Sequence, residues 1–582
     1  MDATMIGTDP EHARKPLLSR EIRIPLVAEL ERLLITFSPF ERMTLYLLGL
    51  ALAGSAAMLV MSVSANAVVT TPTTGGELVE GAIGNPRFVN PLLAISQVDQ
   101  DLTTLTYSGL MRYVDGILVP DLAEEYTVSD DGTIYTFRLR EATFHDGTPV
   151  TADDVAFTVS LAQNPDVKSP RRADWDGVVA HVVDARTVTF TLPQAYAPFL
   201  ENTTMGILPK HLWENVTPSE FPFFALNTAP VGSGPYEIEE TTVDENMLPI
   251  STTLMPFDAF TLGEPYLSRV TFRYYANEEA LLSAWNDGEV TSFAGLSPTH
   301  LPGETDESRI VRIPSSRIFG IYLNQNHSPI LADEAVREAL EIAIDRQAVI
   351  EHVFLGYGVP VSSPIPPGFP LAETPGTMTP EERAVRLEEL LEDWEKDPET
   401  GLWTKDGATI SIALTTADTP ELRASAEMVV TQWRDAGIDA RIQVYPLAEF
   451  STTVLRPRQY DAVLFGQVVG RTLDLFAFWH SSQRNDPGLN LALYTNTKAD
   501  RALASARTEL SARDREEYFA EFVTLVKEDR PAIFLYAPEF TYMAPHDLAG
   551  LDFPTLTTVS ERFLNVHRWY TDSEPVWDIF AR

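Results

Sequence analysis

Cysteine is absent from all 582 residues. That excludes thiolate metal sites, cysteine nucleophiles, disulfides and a lipid anchor attached through a processed cysteine. Positive charge is scarce: 43 Lys and Arg stand against 83 Asp and Glu, a formal net charge of −40. A phosphate backbone needs a basic face, so no nucleic-acid partner is expected. The acidic surplus reads as the solubility of an exported protein and leaves room for cationic ligands. The chain has no Gly-x-Ser-x-Gly elbow, His-Glu-x-x-His pair or phosphate-binding loop, so no enzyme and no cofactor are expected. The 10 histidines are scattered, which weakens direct metal coordination while leaving a metal chelate open as a ligand. Paired acids such as Glu388 and Glu389 lie on a charged helical run and read as a solvated face.

Charge is missing altogether from Met43 to Gly76. Inside that run, LYLLGLALAGSAAMLVMSV (Leu45 to Val63) has about the length that crosses a hydrocarbon core. Arg14, Lys15, Arg20, Arg23, Arg32 and Arg42 precede it, and the first basic residue after it is Arg87. This asymmetry places the N-terminus in the cytoplasm and the bulk of the chain outside. Ala65-x-Ala67 is a small-residue pattern that a signal peptidase could cut. The long segment before it favours an uncleaved single-pass anchor in the cell membrane instead. Ile22 to Phe37 carries apolar residues at helical spacing, as in a short cytoplasmic amphipathic helix.

The exported part is long enough for two lobes. GTIYTFRLR (Gly132 to Arg140) alternates Tyr135, Phe137 and Leu139 with polar residues, and RTVTFTLPQ does the same with Val188, Phe190 and Leu192; both read as antiparallel strands. Between them, FHDGTPVTADDVAF (Phe144 to Phe157) gathers a histidine and three aspartates, the residue types of acid/base or metal chemistry. Their order points to structure instead. Asp146-Gly147 is a turn pair, and Thr151 with Asp154 resembles a capping box opening a helix. Further on, Asp333 and Asp345 read as helix N-caps, with Gly356 and Gly358 as stops. Strand Ala408 to Thr416, helix Pro420 to Gly437 and strands IDARIQVY and YDAVLFGQV form a βαβ pattern, so the second lobe should hold parallel strands.

Leu118 to Val159 resembles the family 5 extracellular solute-binding proteins, the oligopeptide-, dipeptide- and nickel-binding components of ATP-driven importers. PVGSGPYEI (Pro230 to Ile238), NEEALLSAWNDGEV (Asn277 to Val290), Asp333 to Gly368, LDLFAFWHSS and DRPAIFLYAPEF extend the likeness, in order, over roughly Gly75 to Tyr570. The resemblance implies an α/β, two-lobe periplasmic-binding-protein-like fold (class II, cluster C) with an extra subdomain, in addition to one N-terminal transmembrane helix. The charge pattern divides the N-terminal part into a cytoplasmic tail (1–42), an anchor or signal segment (43–66) and a tether (67–76). Lobe I follows (77–316, with the extra subdomain at about 108–230), then lobe II (317–535) and a C-terminal return to lobe I (536–582). Segments near Ile313 to Tyr322 and Ala532 to Phe540 would form the hinge. The function implied is capture of a peptide or other small polar solute in an interlobe cleft and delivery to ABC permease subunits. A membrane-tethered receptor or assembly factor that keeps the fold without import is the alternative.

In peptide-binding members an aspartate of the second lobe pairs with the peptide amine, and Asp474 is the matching acid, with Leu475 where the family has proline. A helix N-cap is its competing reading. Trp479 would wall the pocket or sit in the core. Arg471 would receive a ligand carboxylate or be solvated. Asn90 would line the cleft floor, Tyr107 would do the same or be plain core, and Gly466 and Gln467 would offer backbone groups at a strand end.

Overall fold

The computed structural model describes residues 36–66, 68–304 and 308–577. Two compact units divide the chain, one of residues 1–71 with 573–582, the other of residues 72–572. In the first, Pro39–Asn66 is a helix, and Val68–Pro72, expected in a tether, pairs as a strand with Ser573–Trp577. The structure does not supply the expected membrane span: among the described residues no helix is long and apolar enough to cross a membrane. Glu41 and Arg42 occupy the first turn of Pro39–Asn66. The amphipathic stretch expected from Ile22 lies almost wholly outside the described residues, as does the cleavage position Ala67.

The larger unit is built on two sheets. The first has seven strands in the order Ser308–Ile313, Phe540–Pro545, Ser292–Ala294, Glu77–Ile83, Arg269–Tyr275, Pro249–Pro256 and Tyr236–Val243. Glu77–Ile83 runs parallel to Arg269–Tyr275 and to Ser292–Ala294. Alternation sets its faces: Val270, Phe272 and Tyr274 are buried while their neighbours are not. A buried ion cluster ties this sheet to the end of the chain, with the Arg562 guanidinium 2.8 Å from Glu80 and 2.8 Å from Asp101. Burial raises the Asp101 carboxyl above its ordinary range, and the two acids hold Arg562 firmly protonated.

Beside this sheet, Ala123–Val128, Ile134–Leu139, Thr187–Thr191 and Val179–Asp184 make a four-stranded antiparallel sheet. Tyr135, Phe137, Leu139, Val188 and Phe190 point inward, as their spacing predicts. Helix Ala152–Gln163 packs against it. Its start is fixed by Asp154, which accepts hydrogen bonds from the Thr151 amide (2.8 Å), the Thr151 hydroxyl (2.7 Å) and the Lys210 amide (2.8 Å). His145 is also structural: its Nδ1 accepts from the Gly232 amide (3.3 Å), and its Nε2 donates to the Gly234 carbonyl (3.1 Å). Burial pushes its pKa down to about 4, so it is neutral.

The second large sheet has six strands in the order Gly358–Pro360, Ala532–Pro538, Arg317–Leu323, Ala462–Val468, Ser411–Ala417 and Asp439–Tyr445. Ser411–Ala417 is parallel to both of its neighbours, and helix Pro420–Asp435 crosses between the first parallel pair. Thr419 caps that helix, and Gly437 ends it at φ +89°, where a Cβ would lie 2.7 Å from the Gly401 carbonyl oxygen. Asp333 and Asp345 cap Glu334–Ile342 and Arg346–Phe354. The chain passes between the two large sheets at Ile313 to Arg317 and again at Pro538 to Phe540.

Candidate ligand-binding cleft

Strand Ala462–Val468 delivers the loop Val469 to Leu475 to the face of the second lobe that meets the first. Leu473 takes a left-handed φ of 56°, which turns the loop sharply. Arg471 leaves it with a side chain 4% exposed. Its guanidinium stacks over the Tyr113 ring at 4.5 Å and donates to Glu561 at 2.7 Å. The Arg471 amide donates to Glu201 Oε1 (3.2 Å), and the Thr472 hydroxyl donates to Oε2 of the same carboxylate (2.7 Å). Burial raises the Glu561 carboxyl even with Arg471 opposing the shift, and burial with the nearby Glu201 charge raises the Tyr113 phenol.

Asp474 completes a second crossing point. Arg507, from helix Thr497–Thr508, grips it with Nη2 at 2.8 Å and Nε at 3.0 Å, and the Tyr196 hydroxyl donates to it at 3.1 Å. The Ala197 amide donates to the Arg507 carbonyl at 2.8 Å. The acid expected to receive a ligand amine thus holds a resident cation. About 10 Å³ of free space remains beside it, room for no more than a water. Asp474 also accepts from the Phe476 amide (3.3 Å), but the N-cap of the short helix Phe476–Trp479 is Leu475, so Asp474 is not the cap of that helix.

Two larger spaces open along the same face. One, of about 320 Å³, is bounded by Tyr107, Arg112, Tyr113, Glu201, Thr557 and Glu561. The Tyr107 hydroxyl and the Nε and Nη1 of Arg112 are buried without hydrogen-bond partners. The other, of about 640 Å³, is walled by Phe319, Phe354, Phe465 and Tyr536, with Gly466 on its floor and Glu421 at its side. Gly466 is glycine because a Cβ there would stand 2.8 Å from the Phe319 ring, which stacks on Tyr536 at 5.3 Å.

The structure therefore brings Tyr107, Arg471 and Gly466 to the cleft and withdraws two expected residues from it. Trp479 is fully buried in the second lobe's core against Tyr322, Tyr494, Phe522 and Phe534; an indole of that size at a helix end is held by packing. Asn90 is fully buried as well, donating to Asn227 (3.0 Å) and accepting from the Leu92 amide (2.9 Å), so it shapes a turn. Gln467 is buried with an unpartnered Nε2. Glu201, Tyr113, Tyr196, Arg507 and Glu561 went unseen in the sequence, because no local motif marks a residue whose partner lies 33 or more positions away. Among the described residues no group of three or more His, Asp or Glu side chains is placed to hold a metal ion.

The chain is similar to the oligopeptide-binding protein AppA of Bacillus subtilis, with 27% identity over 86% of this chain and 92% of that protein. It is similar to the dipeptide-binding protein of Escherichia coli, with 25% identity over 79% and 88%. Among solved structures, AppA of Bacillus subtilis in complex with a nonapeptide matches with a TM-score of 0.62 and 25% identity over 86% of this chain and 99% of that one. The fold is shared with the ABC transporter substrate-binding protein CtaP of Listeria monocytogenes, with a TM-score of 0.70 and 24% identity over 86% and 100%. With the two-lobe α/β architecture established and the model of the bacterial extracellular solute-binding proteins, family 5, matching residues 118–489, the chain belongs to that family.

Proposed function

We infer that this protein captures a peptide-like solute between its lobes, outside the cytoplasm, and presents it to the permease of an ABC importer. The observation that carries this reading is the polar seam between the lobes, where Arg471, Thr472 and Asp474 reach Glu561, Glu201 and Tyr196 beside a partly open space of about 320 Å³ on the first lobe. Lobes joined by only two strand crossings close by hinge bending, and a ligand that contacts both favours the closed form. The relatives named for oligopeptides and dipeptides support peptide as the class, and AppA holds a nonapeptide. Within this reading Tyr107, Gly466, Gln467 and Arg471 face or support the ligand, and the protein carries out no chemistry of its own.

Native mass spectrometry of the protein, followed by denaturing release of whatever is bound, tests the reading. Peptides should be released. An empty protein whose melting temperature ignores peptide mixtures would overturn it. A finer reading is that residues 43–66 hold the protein at the membrane; an uncharged stretch with basic residues only on its N-terminal side supports it. Recovery in the soluble fraction after cell breakage, with no need for detergent, would count against an anchor.

A further inference from the structure

Cross-strand pairing in the six-stranded sheet sets its residues in rows. Phe319 stands opposite Gly466 on one neighbouring strand and opposite Tyr536 on the other. Arg317 stands opposite Val468 in the next row of the same face. All five residues border the 640 Å³ space. The glycine decides where the phenyl ring lies. A Cβ on Gly466 would stand 2.8, 2.9 and 3.2 Å from three carbons of the Phe319 ring, so the ring occupies ground that any other residue would deny it. The ring stacks on Tyr536, with the two planes 24° apart, yet Phe319 is only half-buried, so part of its surface is bare to the space. Arg317 is an independent sign. Among the described residues its guanidinium has no acceptor and no carboxylate, and burial, with no charge opposing it, lowers its pKa. A guanidinium without an anion, two residues along the strand from a bare phenyl surface, suits a flat π-system, on which arginine stacks.

We propose that this face is a stacking platform: an aromatic ring of the solute rests on Phe319 beside Arg317, and the protein selects peptides that carry an aromatic side chain. This rests on the peptide reading above and names the side chain that is recognised. The space falls in the range of small-ligand pockets, roughly 300–1,000 Å³, which admits a ring with the backbone that carries it. Polar side chains gain little here. The Ser297 hydroxyl at the rim is already given to Glu421 (3.3 Å), and the walls are Phe319, Phe354, Phe465 and Tyr536. An aliphatic side chain is buried by the same walls but forgoes the ring–ring and guanidinium–ring contacts.

The test sets four pools of alanine peptides, two to nine residues long, in equimolar competition; each pool carries one Phe, Trp, Leu or Ser per chain. The proteins are wild type, Phe319→Leu, Arg317→Gln and Gly466→Ala, each checked for an intact thermal transition. Bound species are released by denaturation and counted by mass. Wild type should retain the Phe and Trp pools about tenfold or more over Ser, and about two- to tenfold over Leu. Phe319→Leu keeps an apolar surface, so it should bring Phe and Leu level while both stay ahead of Ser. Arg317→Gln should narrow the lead of Phe over Leu, and Gly466→Ala, which drives the Phe319 ring off its place, should lower capture of the aromatic pools. Wild type that takes Phe and Leu equally overturns the platform and leaves the peptide reading standing. So does a lead of Phe over Leu that survives unchanged in both Phe319→Leu and Arg317→Gln. Capture of no pool by wild type overturns the peptide reading, and the platform with it.

Discussion

A single neutral imidazole shows how much a residue's surroundings decide. His145 sits in the most chemistry-like stretch of the chain, yet both ring nitrogens are committed to backbone partners and burial holds its pKa near 4, against an ordinary 6.5. Its folded pKa lies below its unfolded one, so its contribution is full above about pH 6.5. It is lost as pH falls from 6.5 toward 4, where the unfolded chain takes up a proton that the folded protein refuses. His567, pushed by burial to about 3, acts with the same sign. Melting temperature measured across that window should fall with pH, and less steeply in His145→Gln than in wild type. The turn pair and the cap signature made this structural role legible. Trp479 was not legible in the same way: nothing in FAFWH separates an indole that walls a pocket from one packed among four rings. Trp479→Ala should cost about 3–5 kcal/mol in denaturant unfolding, as a large core deletion does, whereas a pocket wall would lower ligand affinity at nearly unchanged stability.

Elements were the most readable level, because periodicity and caps are local. The alternating strands of the four-stranded sheet, the caps at Asp333 and Asp345 and the βαβ pattern whose helix ends at Gly437 all form where spacing puts them. Asp154 shows what a cap adds: one carboxylate takes three donors, from its own helix start and from Lys210. Asp154→Ala should destabilise the protein by about 2 kcal/mol, since hydrogen bonds to a charged group are worth more than neutral ones. Asp154→Asn should recover part of that in the same melt. What sequence could not supply was pairing over distance. The seven-stranded sheet pairs Phe293 with Met543, and the Arg562 guanidinium between Glu80 and Asp101 joins segments more than 400 positions apart. Arg562→Leu should cost about 3–5 kcal/mol, because it strands two buried carboxylates.

At the scale of the whole molecule, two clusters of polar contacts join the lobes, one around Arg471 and one around Asp474. Arg471→Ala together with Arg507→Ala removes the guanidinium from each crossing point while leaving both lobe cores untouched. Small-angle scattering should then report a larger radius of gyration without ligand, with each lobe still folded by circular dichroism; an unchanged radius would show that the seam does not hold the lobes together. The cleft was the least legible part of the sequence for the same reason. Its residues come from Tyr107, Tyr113, Glu201, Arg471 and Glu561, and only the fold collects them.

The strand Phe540–Pro545 lies in the interior of the first sheet, between Ser308–Ile313 and Ser292–Ala294. That places a condition on biosynthesis. The second lobe has all its strands once the ribosome has passed Pro538, but the first sheet stays split until nearly the whole chain has been made. A chain of this family has to leave the cytoplasm, and one whose first lobe cannot close early remains threadable while it is being exported. Termination after Pro538 should leave a protease-resistant second lobe and a degraded first one. The late strand works as a timer: the earliest-made sheet is the last to be finished.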